Sequence, residues 1–101
     1  MWLMVLFDLP VLTKTEKKIA SGFRLSLLDL GFEMSQYSVY LRFCASHSIA
    51  TTHVNYVESM LPPMGKVTIL TFTDKQFERA VSFQGQRKLL TETGPKQLEI
   101  F

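Results

Sequence analysis

The sequence lacks a second cysteine, a strong excess of charge and any long hydrophobic run. Its single cysteine, Cys44, excludes an internal disulfide and a Cys-x-x-Cys metal motif, which fits a reducing cytoplasm. The formal charge of +2 is too small to indicate nucleic-acid binding by itself, so only clustering of basic residues can support it. The longest apolar run is too short to span a membrane and has no basic residue before it, so it is not read as a membrane span or a secretory signal.

What is present is the composition of one globular domain, residues 1–101, with 47% hydrophobic and 20% charged residues. The chain opens on seven consecutive apolar residues, Met1 to Phe7, which are followed by Asp8 and, two places later, by Pro10. A short continuous apolar run before a breaker is typical of a strand buried on both faces. We therefore expect a central strand that brings Asp8 to the end of the sheet.

A helix is predicted to follow this strand. Thr13 and Glu16 have the spacing of a capping box, and Gly31 is placed to end the helix after Leu30. The core side of this helix is predicted from its helical spacing to carry Ile19, Phe23, Leu27 and Leu30. A second face is basic and carries Lys14, Lys17 and Arg24, with Lys18 beside them. Such a face is either a surface that binds phosphates or merely solvated charge.

The next strand and helix are predicted from the spacing of their apolar residues. Residues 32–43 change to a period of two and predict one strand, with Tyr37, Val39, Leu41 and Phe43 on an apolar face and Gln36, Ser38, Tyr40 and Arg42 on a mixed one. A second helix is predicted from Ser46 or Ser48 to Leu61, with Ala50, Val54, Val57 and Leu61 inside, and it ends at Pro62 and Pro63.

Five shorter segments complete the order. They are a strand over residues 66–73, a turn or short helix over 73–77 capped by Thr73 or Asp74, a short strand over 80–83, and a loop over about 85–97 that leads to an apolar terminal strand over 98–101.

This order predicts an α+β fold, a ferredoxin-like βαββαβ sandwich in which both helices cover one face of an antiparallel sheet. The first strand is apolar on both faces, so the second face is expected to need a cover. Each large apolar side chain left in water forgoes roughly 1.5–3 kcal/mol of burial. A homodimer with two-fold symmetry, with the terminal strand pairing across it, would supply the cover.

Three motifs make the chain resemble the CRISPR-associated protein 2 family, the small subunit of the spacer-acquisition machinery. They are Phe7-Asp8-Leu9-Pro10 after the first strand, Gln36-Tyr37-Ser38-Val39-Tyr40 in the second, and Thr73-Asp74-Lys75-Gln76-Phe77 after the third. The first and third are most similar to members from systems with a single large RNA-guided effector nuclease. The resemblance covers almost the whole chain.

The resemblance implies a ferredoxin-like fold, a homodimer, and binding to the family's integrase subunit on duplex DNA. It also implies a metal-dependent endonuclease acting on RNA or DNA, with Asp8 as the catalytic, metal-binding aspartate. From the residues alone, the favoured role of Asp8 is to cap the turn before Pro10, and only the resemblance favours the metal-binding role. Magnesium needs oxygen ligands and keeps several waters, so one carboxylate per chain predicts weak binding unless two Asp8 side chains meet in the dimer.

Two departures from the family pattern count against catalysis. Many members have tyrosine where this chain has Phe7, which cannot transfer a proton, and lysines replace the family's frequent arginines at the start of the first helix. The predicted nucleic-acid-binding residues are Lys14, Lys17, Lys18, Arg24 and Arg42, whereas Arg79, Arg87 and Lys88 are left without a position. Two hypotheses follow. One is a duplex-DNA-binding adaptor of the adaptation complex; the other is a magnesium-dependent nuclease acting on single-stranded RNA.

Overall fold

The strand that opens the chain, β1 (Trp2–Asp8), is one of the two inner strands of a four-stranded sheet in the computed structural model, which describes residues 1–90. On one side β1 pairs with β3 (Val39–Phe43) and on the other with β4 (Lys66–Phe72), both antiparallel. The edge beyond β3 is β2 (Glu33–Gln36), which gives the strand order β2-β3-β1-β4. The predicted ferredoxin-like arrangement is therefore confirmed.

Helices α1 (Lys14–Asp29) and α2 (His47–Ser59) pack on the same face of this sheet. The predicted capping box of α1 is present, since the Thr13 hydroxyl accepts from the Glu16 N–H at 3.1 Å and the Glu16 carboxylate accepts from the Thr13 N–H at 2.9 Å. Gly31 has a φ of +87° directly after the helix, which is the left-handed conformation expected of a glycine in this position.

The main core lies between the helices and the sheet. It is formed by buried side chains of β1, β3, α1, α2 and the segments that join them, which are Leu3, Val5, Phe7, Phe23, Leu27, Phe32, Tyr40, Cys44, Ala50 and Val57. Ile69, Val67 and Val54 pack against it from partly buried positions, whereas Leu61, predicted to face inward, is 47% exposed because α2 ends before it.

The predicted single strand over residues 32–43 is wrong, because the segment is a hairpin of β2 and β3 that turns at Tyr37 and Ser38. Tyr37, predicted on the apolar face, is 81% exposed in the turn. Within β3 the alternation is confirmed, with Leu41 on the face opposite the helices. The mixed face packs under the helices, where Tyr40 is buried in the core.

The second face of the sheet is covered in part within the chain. Helix α3 (Asp74–Glu78) begins at Thr73, one of the two predicted caps, with a capping box of its own, and places Phe77 on Trp2 and Leu41. The Phe77 and Trp2 rings lie 4.2 Å apart between centroids. Leu70, on the same face, remains 47% exposed. The chain itself therefore covers part of this face, so the area that needs a partner is smaller than the sequence predicts. A dimer stays a prediction.

Residues 82–89 form a separate antiparallel hairpin of β5 (Ser82–Gln84) and β6 (Arg87–Leu89). The predicted short strand over 80–83 is thus displaced toward the C-terminus, and part of the predicted loop over 85–97 is strand. The remainder of that loop and the terminal strand over 98–101 lie outside the described residues. No helix within residues 1–90 is long and apolar enough to cross a membrane.

Candidate nucleic-acid site at the end of the first strand

A shallow groove of about 320 Å³ lies at the end of β1. Asp8, the last residue of β1, contributes an exposed carboxylate to it. Its other lining residues come from the neighbouring strands and the hairpin turn; they are Leu6, Phe7, Tyr37, Ser38, Val39, Lys66 and Thr68. The groove thus combines one carboxylate, one ammonium group and several hydroxyls around an apolar floor.

The strand pairing brings these side chains together. Lys66 is the register partner of Asp8 on β4, so an amine and a carboxylate stand side by side at this end of the sheet. On the other side the Phe7 N–H donates to the Ser38 carbonyl at 3.1 Å, which holds the hairpin turn against β1. Because β1 is paired on both sides, Asp8 is presented by a rigid element, whereas a loop would leave its position variable.

The backbone that carries Asp8 is packed against a glycine. Gly65 has a φ of +88°, and a Cβ built on it would lie 2.6 Å from the Asp8 carbonyl oxygen and 2.7 Å from Leu9 Cδ2. Real Cβ atoms do not approach other heavy atoms so closely. Only glycine at position 65 therefore lets the chain turn into β4 this close to Asp8 and Leu9.

Arg24 reaches the same end of the sheet from α1. Its guanidinium carbon is 5.8 Å from the centroid of the Phe7 ring and 5.1 Å from that of the Tyr37 ring. Distances below about 6 Å allow a cation–π attraction. Arg24 therefore lies next to the groove, because the two rings it contacts also line the groove. Its role in binding phosphate stays a prediction.

Lys14, Lys17 and Lys18 are all exposed in the first turns of α1. The predicted basic face is therefore accessible over its N-terminal half.

Arg42 lies elsewhere and has internal partners. Its Nε donates to the Leu30 carbonyl oxygen and its Nη1 to the Phe43 carbonyl oxygen, each at 2.8 Å. The guanidinium thereby binds a backbone carbonyl at the C-terminal end of α1, where orphan carbonyls need a donor. A role of Arg42 in nucleic-acid binding stays a prediction, and its observed contacts are structural.

The oxygen ligands around Asp8 fit a magnesium ion only if water and substrate fill most of its coordination positions. Within residues 1–90 no cluster of three or more histidine, cysteine, aspartate or glutamate side chains could hold a metal ion. His47 and His53 lie on α2 and do not line the groove. Magnesium is often held by one or two carboxylates together with waters and substrate phosphates, which matches a single exposed Asp8.

The sequence interpretation missed four polar groove residues, Tyr37, Ser38, Lys66 and Thr68. The sequence predicts Tyr37 on a strand face because the hairpin turn carries no glycine or asparagine that would indicate a turn. Lys66 and Thr68 could have been found by pairing the first strand with the strand over residues 66–73 in antiparallel register.

A second depression of about 320 Å³ is lined by Gln84, Arg87, Lys88, Leu89 and Leu90 on the β5–β6 hairpin. Arg87 and Lys88, for which the sequence predicts no position, are thus exposed residues of β6.

The sequence was also compared with known proteins. The sequence model of the CRISPR-associated protein Cas2 family matches residues 1–80. A protein of Paracidovorax avenae named CRISPR-associated endoribonuclease Cas2 is 54% identical over the whole chain and 94% of its own length. Proteins of the same name from Flavobacterium psychrophilum and Parvibaculum lavamentivorans are 46% and 43% identical over the whole chain, covering 88% and 100% of their own lengths.

Proposed function

The chain belongs to the CRISPR-associated protein Cas2 family, and on that premise we propose that it is a magnesium-dependent endoribonuclease acting on single-stranded RNA. The observation that carries the proposal is the exposed Asp8 carboxylate in a groove that Lys66 also lines and that Arg24 approaches. An anionic metal ligand beside two cations is an arrangement suited to a phosphodiester. The names of the three relatives agree with it, and a cytoplasmic location belongs to the same proposal.

In this proposal Asp8 is both the metal ligand and the catalytic residue. A bound magnesium ion would supply a water activated for attack and would neutralise charge on the phosphate. Lys66 and Arg24 would hold the phosphate by charge and by N–H donors. Ser38 and Thr68, which also line the groove, would offer hydroxyls to orient water or a phosphate oxygen. Phe7 takes no part in proton transfer, so protons must be exchanged with water.

A homodimer is part of the proposal, because a single chain supplies only one carboxylate ligand to the metal. The partly exposed face around Leu70 supplies an apolar surface for a second copy. Multi-angle light scattering should give twice the chain mass at micromolar concentration, and a monomeric mass would contradict the dimer.

A second candidate function is supported by the exposed lysines of α1. In that role the protein is the small subunit of the adaptation complex, which binds duplex DNA and bridges integrase subunits for spacer acquisition. Lys14, Lys17 and Lys18 would contact backbone phosphates without reading bases. Each phosphate neutralised should add about −0.9 to the slope of log affinity against log salt concentration.

One pair of variants separates the two functions. Asp8→Asn should abolish magnesium-dependent cleavage of single-stranded RNA and leave duplex binding and spacer acquisition unchanged. The triple change of Lys14, Lys17 and Arg24 to glutamate should abolish duplex binding. RNA cleavage that survives Asp8→Asn would overturn the nuclease proposal, and unchanged duplex affinity in the triple variant would overturn the adaptor role.

A further inference from the structure

Tyr37 has an unusual position for a large aromatic residue. It lies in the turn between β2 and β3 with 81% of its surface exposed, and Ser38 after it has a φ of +63°. Left-handed backbone is uncommon for residues other than glycine. The hairpin therefore adopts a strained turn that leaves the Tyr37 ring outside the core, so packing does not explain the ring.

The one ring contact of Tyr37 described within residues 1–90 is with Arg24, whose guanidinium carbon lies 5.1 Å from the ring centroid. The Phe7 ring contacts the same guanidinium at 5.8 Å. Phe7 is fixed by its own neighbours, since it is buried and packs edge-on against Phe23 at 5.2 Å. Arg24 is thus in contact with one rigid ring and one exposed ring, both at the groove that contains Asp8.

Stacking on a ring uses the face of a guanidinium and leaves its N–H donors, which lie in its plane, available to a phosphate. A long arginine side chain otherwise loses rotamer freedom when it is fixed in one position. Rings that already hold the guanidinium reduce that loss when the phosphate arrives. The same contacts would serve a lysine less well, because an ammonium group has no plane to orient.

We propose that Tyr37 is a positioning residue for RNA, which together with Phe7 holds the Arg24 guanidinium at the groove so that it binds a phosphate beside Asp8. The proposal rests on the proposed function for its ligand, the phosphate backbone of single-stranded RNA. It assigns a task to the phenyl ring of Tyr37 and none to its hydroxyl. It also gives Phe7 a role that needs only its ring, so the lack of a tyrosine hydroxyl at this position does not impair that role.

The test compares Tyr37→Phe, Tyr37→Ser, Arg24→Gln and the double variant, with the full-length protein. Binding of a fluorescent single-stranded RNA is measured in EDTA over a range of salt concentrations, so that it does not depend on cleavage. Tyr37→Phe should bind within about twofold of the wild type. Tyr37→Ser should bind about fivefold more weakly, the size of effect expected from a cation–π contact, and should lower the salt slope by about 1, as Arg24→Gln does. The double variant should be no weaker than Arg24→Gln alone, because the two residues act as one unit.

Tyr56→Ser on α2 is the matched control, since Tyr56 is also an exposed tyrosine, at 48%, and does not line the groove. Its affinity for RNA should equal that of the wild type. Full affinity in Tyr37→Ser, or losses that simply add in the double variant, would overturn the inference. Binding that follows these expectations without any magnesium-dependent cleavage by the wild type would instead uphold the inference and refute the nuclease proposal. A wild type that binds no RNA would refute both.

Discussion

Gly65→Ala should damage the site without changing any of its functional side chains. The added Cβ would lie 2.6 Å from the Asp8 carbonyl oxygen and 2.7 Å from Leu9 Cδ2, where carbon atoms normally stay about 3.5–4.0 Å apart. Because a backbone oxygen cannot rotate away as a flexible side chain can, the segment Asp8–Leu9 must shift. The carboxylate of Asp8 would move with it.

The expected cost has two parts. A left-handed φ of +88° costs an alanine about 1–2 kcal/mol relative to glycine. Crowding of a tightly packed region costs typically about 1–3 kcal/mol more. The sum, about 2–5 kcal/mol, corresponds to a fall in melting temperature of at least about 8 °C for a domain of this size.

The chain offers two matched controls for the same substitution. At Gly85, φ is +61° and nothing lies within 4 Å of an added Cβ, so Gly85→Ala should cost only the backbone part. At Gly22, inside α1, nothing lies within 4 Å either, and Gly22→Ala should stabilise the helix by about 0.8–1 kcal/mol.

Circular dichroism melts of the three variants give their stabilities, and RNA cleavage is measured at a temperature where all three are folded. Only Gly65→Ala should lose cleavage activity. If it kept full activity and melted at the same temperature as Gly85→Ala, the close approach of Gly65 to Asp8 would not hold that carboxylate in place.

Three further changes test the fold around the site. Phe77→Ala removes the ring that lies 4.2 Å from Trp2 and should lower the free energy of unfolding by about 3–5 kcal/mol in a urea titration; a change below about 1 kcal/mol would mean that α3 does not cover the second face. Thr13→Ala removes the N-cap of α1 and should cost about 1 kcal/mol in the same titration, whereas no loss would show that the capping box contributes nothing. Arg42→Gln should lower the melting temperature, because Nε no longer donates to the Leu30 carbonyl; an unchanged melting temperature would mean that this contact does not stabilise the end of α1, and a smaller salt slope of RNA binding would support the predicted role of Arg42 in nucleic-acid binding.

The elements with strong local signals were predictable from the sequence. The capping box at Thr13, the glycine after α1 and the change to a period of two all depend on neighbours a few residues apart, and the structure contains each of them. The hairpin at Tyr37 and Ser38 was not predictable in this way. Its turn residues are not the glycine or asparagine that usually mark a hairpin, and the apolar alternation continues through them.

For the candidate site, the sequence predicted where Asp8 and Arg24 lie in the fold but not the residues that surround them. Asp8 follows directly from a buried strand that stops at a carboxylate, and Arg24 from helical spacing. The contact between Arg24 and Tyr37 depends on the hairpin, so an interpretation without that turn could not find it. The charge and strand position of Arg42 predict binding to phosphate, which stays a prediction. Its carbonyl partners become visible only when β3 is placed beside the end of α1.

The two ends of β1 have separable tasks. At its beginning Trp2 is buried between Phe43 and Phe77, where aromatic contacts stabilise the second face of the sheet. At its end Asp8 is exposed, and the glycine and hairpin around it fix its position while contributing little apolar burial. Since stability depends mainly on buried apolar area, substitutions at the first end should unfold the protein before they affect RNA. Substitutions of exposed or partly exposed side chains at the second end should affect RNA in a protein that remains folded, which is why the variants at Asp8, Arg24 and Tyr37 can be interpreted as tests of function.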